Sequence, residues 1–423
     1  TKLTKIKISC LFITNKSRNF VQIKIIGMRI QPFMLLTLLA LNFLVDLYIY
    51  KRLVLYYTQK KWIKCSYWIF NALILIGISA TTYIIRHYSG QIGFSSLMWI
   101  FYAYLLFYAP KITYTCLSIF DFCFPKRHNR RIRFFSILGS ICATTVFISM
   151  LYGTTYGRLH YTVTEEEIIT DRLPASFDHY KIVQLSDLHL GNFKNGTGFI
   201  TDIVKQVNEL NPDLIVFTGD LVNNKGDELD PYIDILSQLH AKDGVYSVLG
   251  NHDYGDYVRW KNKKAKQENL KQLIQKQGSM GWKMLNNDSE YIYRGNDSIA
   301  IIGVENWGEP PFPQYGSLQK AYPNLTDTTF KILLTHNPVH WDAEVLPSTN
   351  IDLSLSGHTH AMQLKLGFGK FCISPSSWKY KRWSGLYNSG KQYLYVNEGI
   401  GYVFLPMRIG ATPEITVINI KKG

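Results

Sequence analysis

"IDLSLSGHTH", Ile351–His360, is an alternating apolar run that stops at two histidines, and its reading decides the fold. On an extended backbone, positions two apart point to the same side, so His358 and His360 leave the end of the strand together. One such pair is ordinarily a solvated turn. Four other runs, however, end in the same way. "KIVQLSDLHLG" ends at Asp187 and His189, and "DLIVFTGDLV" ends at Asp220. "GVYSVLGNHD" ends at Asn251, His252 and Asp253, and "KILLTHNP" at His336. Five of the nine histidines after residue 158 fall in these motifs, which argues against chance placement. Short buried strands followed at once by metal-competent side chains predict an α/β domain with a site at the C-terminal edge of its sheet.

The donor types narrow the chemistry. Asp187, His189, Asp220, Asn251, His336, His358 and His360 offer nitrogen and oxygen but no sulfur, which suits Mn²⁺, Fe²⁺ or Zn²⁺. Five of the six cysteines lie in the first third and only Cys372 lies later, so neither a disulfide framework nor a thiolate site can be built. Seven donors are too many for one ion with an open position. They suit two divalent ions sharing a carboxylate, the usual apparatus for in-line displacement at phosphorus by a bridging hydroxide.

The N-terminal third is a different material. The net charge of +15 suggests nucleic acid, but residues 1–158 hold 20 Lys+Arg against Asp46 and Asp121 alone, and the remainder is slightly acidic. The basic excess thus belongs to a strongly apolar segment, and no nucleic-acid partner is expected. Phe33–Tyr50, Tyr67–Ile85 and Phe134–Tyr152 approach the ~20 apolar residues of a membrane helix. Phe94–Phe124 is a further window, interrupted by Pro110 and Lys111. Lys51, Arg52, Lys60, Lys61 and Lys64 follow the first window, and Lys126, Arg127, Arg130, Arg131 and Arg133 follow the third. The positive-inside rule makes both loops cytoplasmic, which places everything after Tyr152 outside. A multi-pass protein of the cell (inner) membrane with an extracytoplasmic catalytic domain is expected. Asp46 and Asp121 are expected to be interfacial acids near helix ends. "MRIQPFMLL" from Met28 reads as a natural start, so residues 1–27 are expected to be an upstream extension.

The ordered set D-x-H, G-D, G-N-H-D, T-H-N-P and G-H-T-H resembles the calcineurin-like metallophosphoesterases over about residues 161–415. "SDLHLG" and the tail "GIGYVFLPMRIGATPEI" resemble a bacterial membrane-anchored branch of phosphodiesterases and enzymes cleaving the pyrophosphate of UDP-diacylglucosamine. The resemblance implies two packed β-sheets flanked by helices over residues 159–423, preceded by a transmembrane domain of about four helices over 28–158. It implies that Asp187, His189, Asp220 and His360 bind one ion, and Asp220, Asn251, His336 and His358 the other. His252 would face the substrate as a catalytic residue, with Asp253 orienting its neighbours. The chain departs from the pattern twice. The acid that braces this histidine in protein phosphatases is missing, with Asn223 nearby, and Ala361 and Met362 stand where Gly-Gly is common.

Three stretches bear on the substrate. Arg259–Gly278 is a basic helical stretch, read as a solvated face. Ser376–Tyr387 mixes aromatics with Lys379, Lys381 and Arg382, so Lys379 and Arg382 join Asn223 as candidate substrate contacts. Trp307 lies on a Pro-rich loop. The expected activity is metal-dependent hydrolysis, with Mn²⁺ preferred, of a phosphodiester or pyrophosphate on an envelope or lipid-linked substrate. The alternatives are a phosphomonoesterase acting on a soluble ester and a non-catalytic membrane sensor or scaffold.

Overall fold

A computed structural model describes residues 32–88, 94–124, 133–193, 196–310, 312–368 and 371–423. Residues 1–27, expected above to be an upstream extension, and the basic run Lys126–Arg131 lie outside the described residues.

Four long helices open the described chain: α1 (Pro32–Ile49), α2 (Lys61–Tyr88), α3 (Phe94–Ser118) and α4 (Phe134–Tyr152). Among the described residues, three helical stretches are long and apolar enough to cross a membrane: Phe33–Tyr57, Lys61–Ile84 and Phe134–Gly157. α3 is not among these three but is also long, running unbroken through Pro110 for 25 residues. It carries Lys111 because a partner waits in the bundle. Lys111 Nζ lies 2.8 Å from Asp46, whose other oxygen accepts from the Tyr108 hydroxyl at 2.6 Å. Asp121 accepts from the backbone N–H groups of Phe135 (2.9 Å) and Ser136 (3.2 Å) at the start of α4, and pairs with Arg52 at 2.5 Å. The two acids near the helix ends are therefore not isolated: both are buried and paired. A charge in a low-dielectric bundle survives only with such partners. Gly139 lets α4 approach α3, since a Cβ there would lie 3.1 Å from the Tyr114 carbonyl.

The rest of the chain forms two mixed six-stranded sheets. The first contains β1 (Thr162–Thr170), β2 (Tyr180–Leu185), β3 (Leu214–Phe217), β4 (Val245–Ser247), β5 (Lys283–Met284) and, from the C-terminus, β14 (Glu414–Lys422), in the order β1-β14-β2-β3-β4-β5. The second contains β6 (Asp288–Arg294), β7 (Asp297–Gly303), β8 (Phe330–Leu334), β9 (Leu353–Ser356), β12 (Gly385–Ser389) and β13 (Gln392–Val396), in the order β12-β13-β9-β8-β7-β6. A ribbon of β10 (Leu366–Phe368) and β11 (Phe371–Ile373) stands apart.

Strands that are apolar on both faces demand cover on both sides. In β2, Ile182 points between the sheets with Leu214, Ile301, Ile332 and Leu355, while Val183 and Leu185 face helix α5 (Thr197–Glu209) through Ile200 and Val204. Trp341 and Val345 cover the far face of the second sheet. The result is the expected pair of packed sheets flanked by helices.

This topology also places the motifs. β2, β3 and β4 run parallel, as do β7, β8 and β9, so their C-terminal ends gather on one edge. The two edges are stitched together by Gln184, whose amide donates to the Ser356 carbonyl at 2.9 Å. α6 (Lys263–Ser279) is the basic stretch read from sequence. It is capped by Asn262, and among its buried residues is Leu273, consistent with a solvated outer face.

Candidate active site

Each strand end turns sharply into the cluster. Asp187, His189, Asp220, His358 and His360 all have left-handed backbones, with φ between 47° and 72°. Such geometry is uncommon for residues bearing a Cβ and costs energy that surrounding structure must hold in place. Here neighbouring main chain does so. Asp187 N–H donates to the Gly219 carbonyl at 2.9 Å, and His189 N–H donates to the Asp220 carbonyl at 3.1 Å. The turns pass so closely that only glycine fits between them. A Cβ on Gly357 would overlap Ser186 Oγ and Asp187 Oδ2, and one on Gly250 would overlap Asp220 Oδ1. Gly357→Ala is expected to cost ~1–3 kcal/mol, the usual penalty of overpacking, read as a lower unfolding midpoint.

The side chains fall into two sets joined at Asp220. In one, His360 Nε2 lies 3.1 Å from Asp187 Oδ1 and 3.2 Å from His189 Nε2. In the other, His336 Nε2 lies 3.2 Å from Asp220 Oδ2, 3.1 Å from His358 Nδ1 and 3.0 Å from Asn251 Oδ1. Asp220 Oδ2 also approaches His189 Nε2 at 3.6 Å. His358 and His360, two residues apart, thus turn different ring nitrogens toward different sets.

Electrostatics make this arrangement costly without a cation. Burial alone would raise the Asp187 and Asp220 carboxyls, but histidine charges hold both well below the usual range. Burial lowers His189 and His360, and burial with the nearby His336 charge takes His358 down to about 3. His336 goes the other way: burial lowers it, but the Asp220 carboxylate beside it raises it to about 9. Neutral imidazole lone pairs facing each other at about 3 Å repel unless a proton or cation lies between them. The set therefore fits divalent cations by donor type and by mutual approach.

His252 sits beside both sets without joining the 3 Å contacts. Its Nδ1 lies 2.8 Å from the Asn223 carbonyl, its ring stacks on Tyr257 at 4.5 Å, and its N–H donates to Asp220 Oδ1 at 2.8 Å. The bracing acid missing from the sequence is thus replaced by a backbone carbonyl. The Asn223 side chain turns away to Asn192 Oδ1 at 2.8 Å. Asp253 meets main chain, accepting from the N–H groups of Asp220, Leu221, Val222 and Gly250. Burial and the charge of Asp220 push its carboxyl up to about 7.

The substrate candidates divide. Lys379 is exposed and lies 4.7 Å from the ring centre of Tyr380, whose hydroxyl is 3.1 Å from His358 Nε2. Arg382 is taken by Asp342 and lies over the rings of Trp341 and Tyr387, so it is engaged in holding the loop. Trp307 stacks on the buried His340, which is satisfied by Thr335 and Glu344. Ala361 is buried while Met362 faces solvent.

Four residues were not singled out in the sequence. Tyr257 and Tyr380 pack on motif histidines. Glu228 accepts from Asn223 N–H at 2.5 Å, and burial raises it to about 7. Arg408, fully buried, donates to His360 Nδ1 at 2.9 Å and to the carbonyls of Glu398 and Gly401. Only Arg408 left a trace, as the one basic residue in the tail "GIGYVFLPMRIGATPEI" quoted above for its resemblance.

The comparisons agree with this architecture. Residues 180–362 match the family model described as "Calcineurin-like phosphoesterase", and residues 28–158 match that of "Probable Calcineurin-like phosphoesterase, transmembrane domain". The chain belongs to the calcineurin-like metallophosphoesterases, hydrolases of phosphoester bonds whose family implies a binuclear divalent metal centre, and its transmembrane domain makes it a membrane-associated member. Similar proteins include the metallophosphoesterase YkuE of Bacillus subtilis, 34% identical over 70% of this chain and 99% of that protein. The transmembrane protein with metallophosphoesterase domain of Danio rerio is 34% identical over 64% of this chain and 60% of that protein. The UDP-2,3-diacylglucosamine pyrophosphatase LpxG of Chlamydia muridarum is 27% identical over 59% of this chain and 86% of that protein.

Proposed function

We propose that this protein hydrolyses a phosphodiester or pyrophosphate bond with two Mn²⁺ ions, on a substrate held at or in the membrane. The observation that carries it is the convergence of seven nitrogen and oxygen donors where the C-terminal edges of the two sheets meet, with Asp220 common to both sets. In this reading Asp187, His189, Asp220 and His360 hold one ion, and Asp220, Asn251, His336 and His358 the other. When bound, the ions supply Lewis acidity toward phosphoryl oxygens and a water of lowered pKa.

The chain's own residues do the rest. A carbonyl oxygen can only accept, so the contact from Asn223 keeps a proton on His252 Nδ1 and leaves Nε2 to carry a proton to or from the reacting oxygens. Tyr257 stacking fixes the ring. Lys379 adds positive charge near His358 for an anionic substrate. Support for a diester or pyrophosphate comes from the carbonyl brace in place of the phosphatase acid, and from the relative named as a UDP-2,3-diacylglucosamine pyrophosphatase. The catalytic domain belongs outside the cytoplasm in this reading, as the charge bias of the helix ends requires. Protease added to right-side-out vesicles is expected to cleave it, and protection would reverse the orientation.

The activity test is the full chain in detergent with Mn²⁺, offered a bis-aryl and a mono-aryl phosphate. Diester turnover at least about tenfold faster is expected, a discrimination of ~1.4 kcal/mol. With metal bound, no turnover of either ester would defeat the proposal. Metal binding also has a proton signature. His336 is the ligand in this set raised above neutrality, so at pH 7.5 loading is expected to release at least about one proton, from His336 and from the water of lowered pKa, and affinity is expected to climb with pH until about 9. Calorimetry in two buffers of different ionisation heat reads that number directly.

A further inference from the structure

The β10–β11 ribbon has a bare apolar face. Its antiparallel register sets Leu366 opposite Ile373, with Phe371 two residues before Ile373, so all three share one side. Phe371 is 90% exposed and Ile373 70%, and Trp378, just beyond, is 89% exposed. Five of the eleven exposed large hydrophobics among the described residues of 159–423 fall between Met362 and Trp378, including the two most exposed. A two-stranded ribbon has no core of its own, so an apolar concentration of this kind marks a contact surface.

Its position says what it contacts. Lys365 N–H donates to the Ile409 carbonyl at 2.9 Å, and the Gln363 amide donates to Leu405 and Met407 carbonyls at 2.7 and 2.8 Å. That same loop rests on the ends of the membrane helices. Arg408 N–H donates to the Gly153 carbonyl at 3.0 Å, Thr154 bonds the Pro406 carbonyl, and the Phe404 ring meets Phe101 at 5.4 Å. The ribbon is therefore continuous with the surface from which the chain enters the bilayer. On its other side it adjoins the candidate site. Ser374 Oγ donates to the Ala361 carbonyl at 2.6 Å, next to His360, and Trp378 lies two residues before Tyr380.

We propose that the β10–β11 face, with Trp378 beside it, is immersed in the interfacial layer of the bilayer that its own helices cross. There it sets the candidate site against phosphate esters whose apolar part stays in that layer. Tryptophan, phenylalanine and isoleucine with a neighbouring exposed lysine, Lys379, are the side chains that settle at an anionic membrane interface. Immersion stands on the geometry above, whereas the substrate class rests on the phosphoesterase reading.

The test places benzoylphenylalanine at position 371 of the full chain, reconstituted in phosphatidylcholine–phosphatidylglycerol vesicles. Irradiation is expected to yield a lipid adduct at 371 and none at position 293, where Tyr293 is 69% exposed on β6. Equal adducts at both, no lipid adduct at 371, or a cross-link to a second copy of the chain would each overturn immersion. For the substrate class, the full chain carrying Phe371→Ser and Trp378→Ser is compared with the unaltered chain. Turnover of water-soluble bis-aryl phosphate is expected to stay within about twofold, while turnover of a diester bearing two long acyl chains falls at least about tenfold. Equal retention on both esters would overturn it. Absence of either turnover in the unaltered chain would defeat the phosphoesterase reading and leave the lipid adduct standing.

Discussion

His252→Ala is expected to keep both metal ions and lose ~10²–10⁴-fold in kcat, the usual contribution of a positioned acid–base group. The geometry makes the first half of that expectation sharp. His252 has ligating atoms within 4.8 Å of His189 and Asp220, so by proximity alone it competes for the role of ligand. Its ring nevertheless stands outside the 3 Å contacts, with Nδ1 on the Asn223 carbonyl, one face on Tyr257 and Nε2 left free among the described residues. What it gives Asp220 is its backbone N–H, which alanine retains. Metal content after dialysis, measured beside kcat, decides the matter. Two ions with a rate loss equivalent to ~2.7–5.4 kcal/mol places His252 at the substrate. Loss of an ion would make it a ligand.

That histidine also shows where sequence stops. The gathering of the seven candidate donors was legible because each follows an apolar run that reads as a buried strand, and the parallel strands of each sheet end on a common edge. The partition of His358 and His360 came from the resemblance, since spacing alone says only that they share a side. Partners supplied by the main chain were not legible at all. The Asn223 carbonyl that holds His252 would be there whatever the side chain at 223, so residue identity at that position carries no signal of it. Arg382 is a second case: a basic residue among aromatics reads as a phosphate grip or as packing, and its pairing with Asp342, 40 residues away in sequence, is not visible in the local pattern. Asp46 and Lys111 read as separate anomalies because their pairing crosses from one helix to another. Long-range polar pairing has no period, and periodicity is what a single sequence displays.

Asp253 provides the other large effect, and it is expected to be of a different kind. Oδ2 accepts from Asp220 N–H and Gly250 N–H at 2.9 Å, and Oδ1 accepts from Leu221 N–H at 2.9 Å and Val222 N–H at 3.2 Å. One buried carboxylate therefore ties the loop after β3 to the loop after β4 at the point where Asp220 is held left-handed. Hydrogen bonds contribute ~0.5–1.5 kcal/mol each and ~1.5–3 kcal/mol when the carboxyl is ionised, and an unsatisfied buried N–H is costly in its own right. Asp253→Ala is expected to lose at least ~3 kcal/mol, even allowing for strong non-additivity. For a domain of this size that lowers the unfolding midpoint by roughly 6–12 °C. Asp253→Asn keeps the shape but turns an amide NH₂ toward two N–H donors, so it is expected to fail nearly as badly. Metal retention is expected to fall in step with the midpoint in both variants, because the clamp holds Asp220 and the turn leading to Asn251. A proton-carrying role would leave a different signature: Asp253→Asn would melt and bind metal normally and lose only rate. Thermal unfolding and metal content of the two variants, set beside His252→Ala, separate a residue that holds the site from one that acts in it.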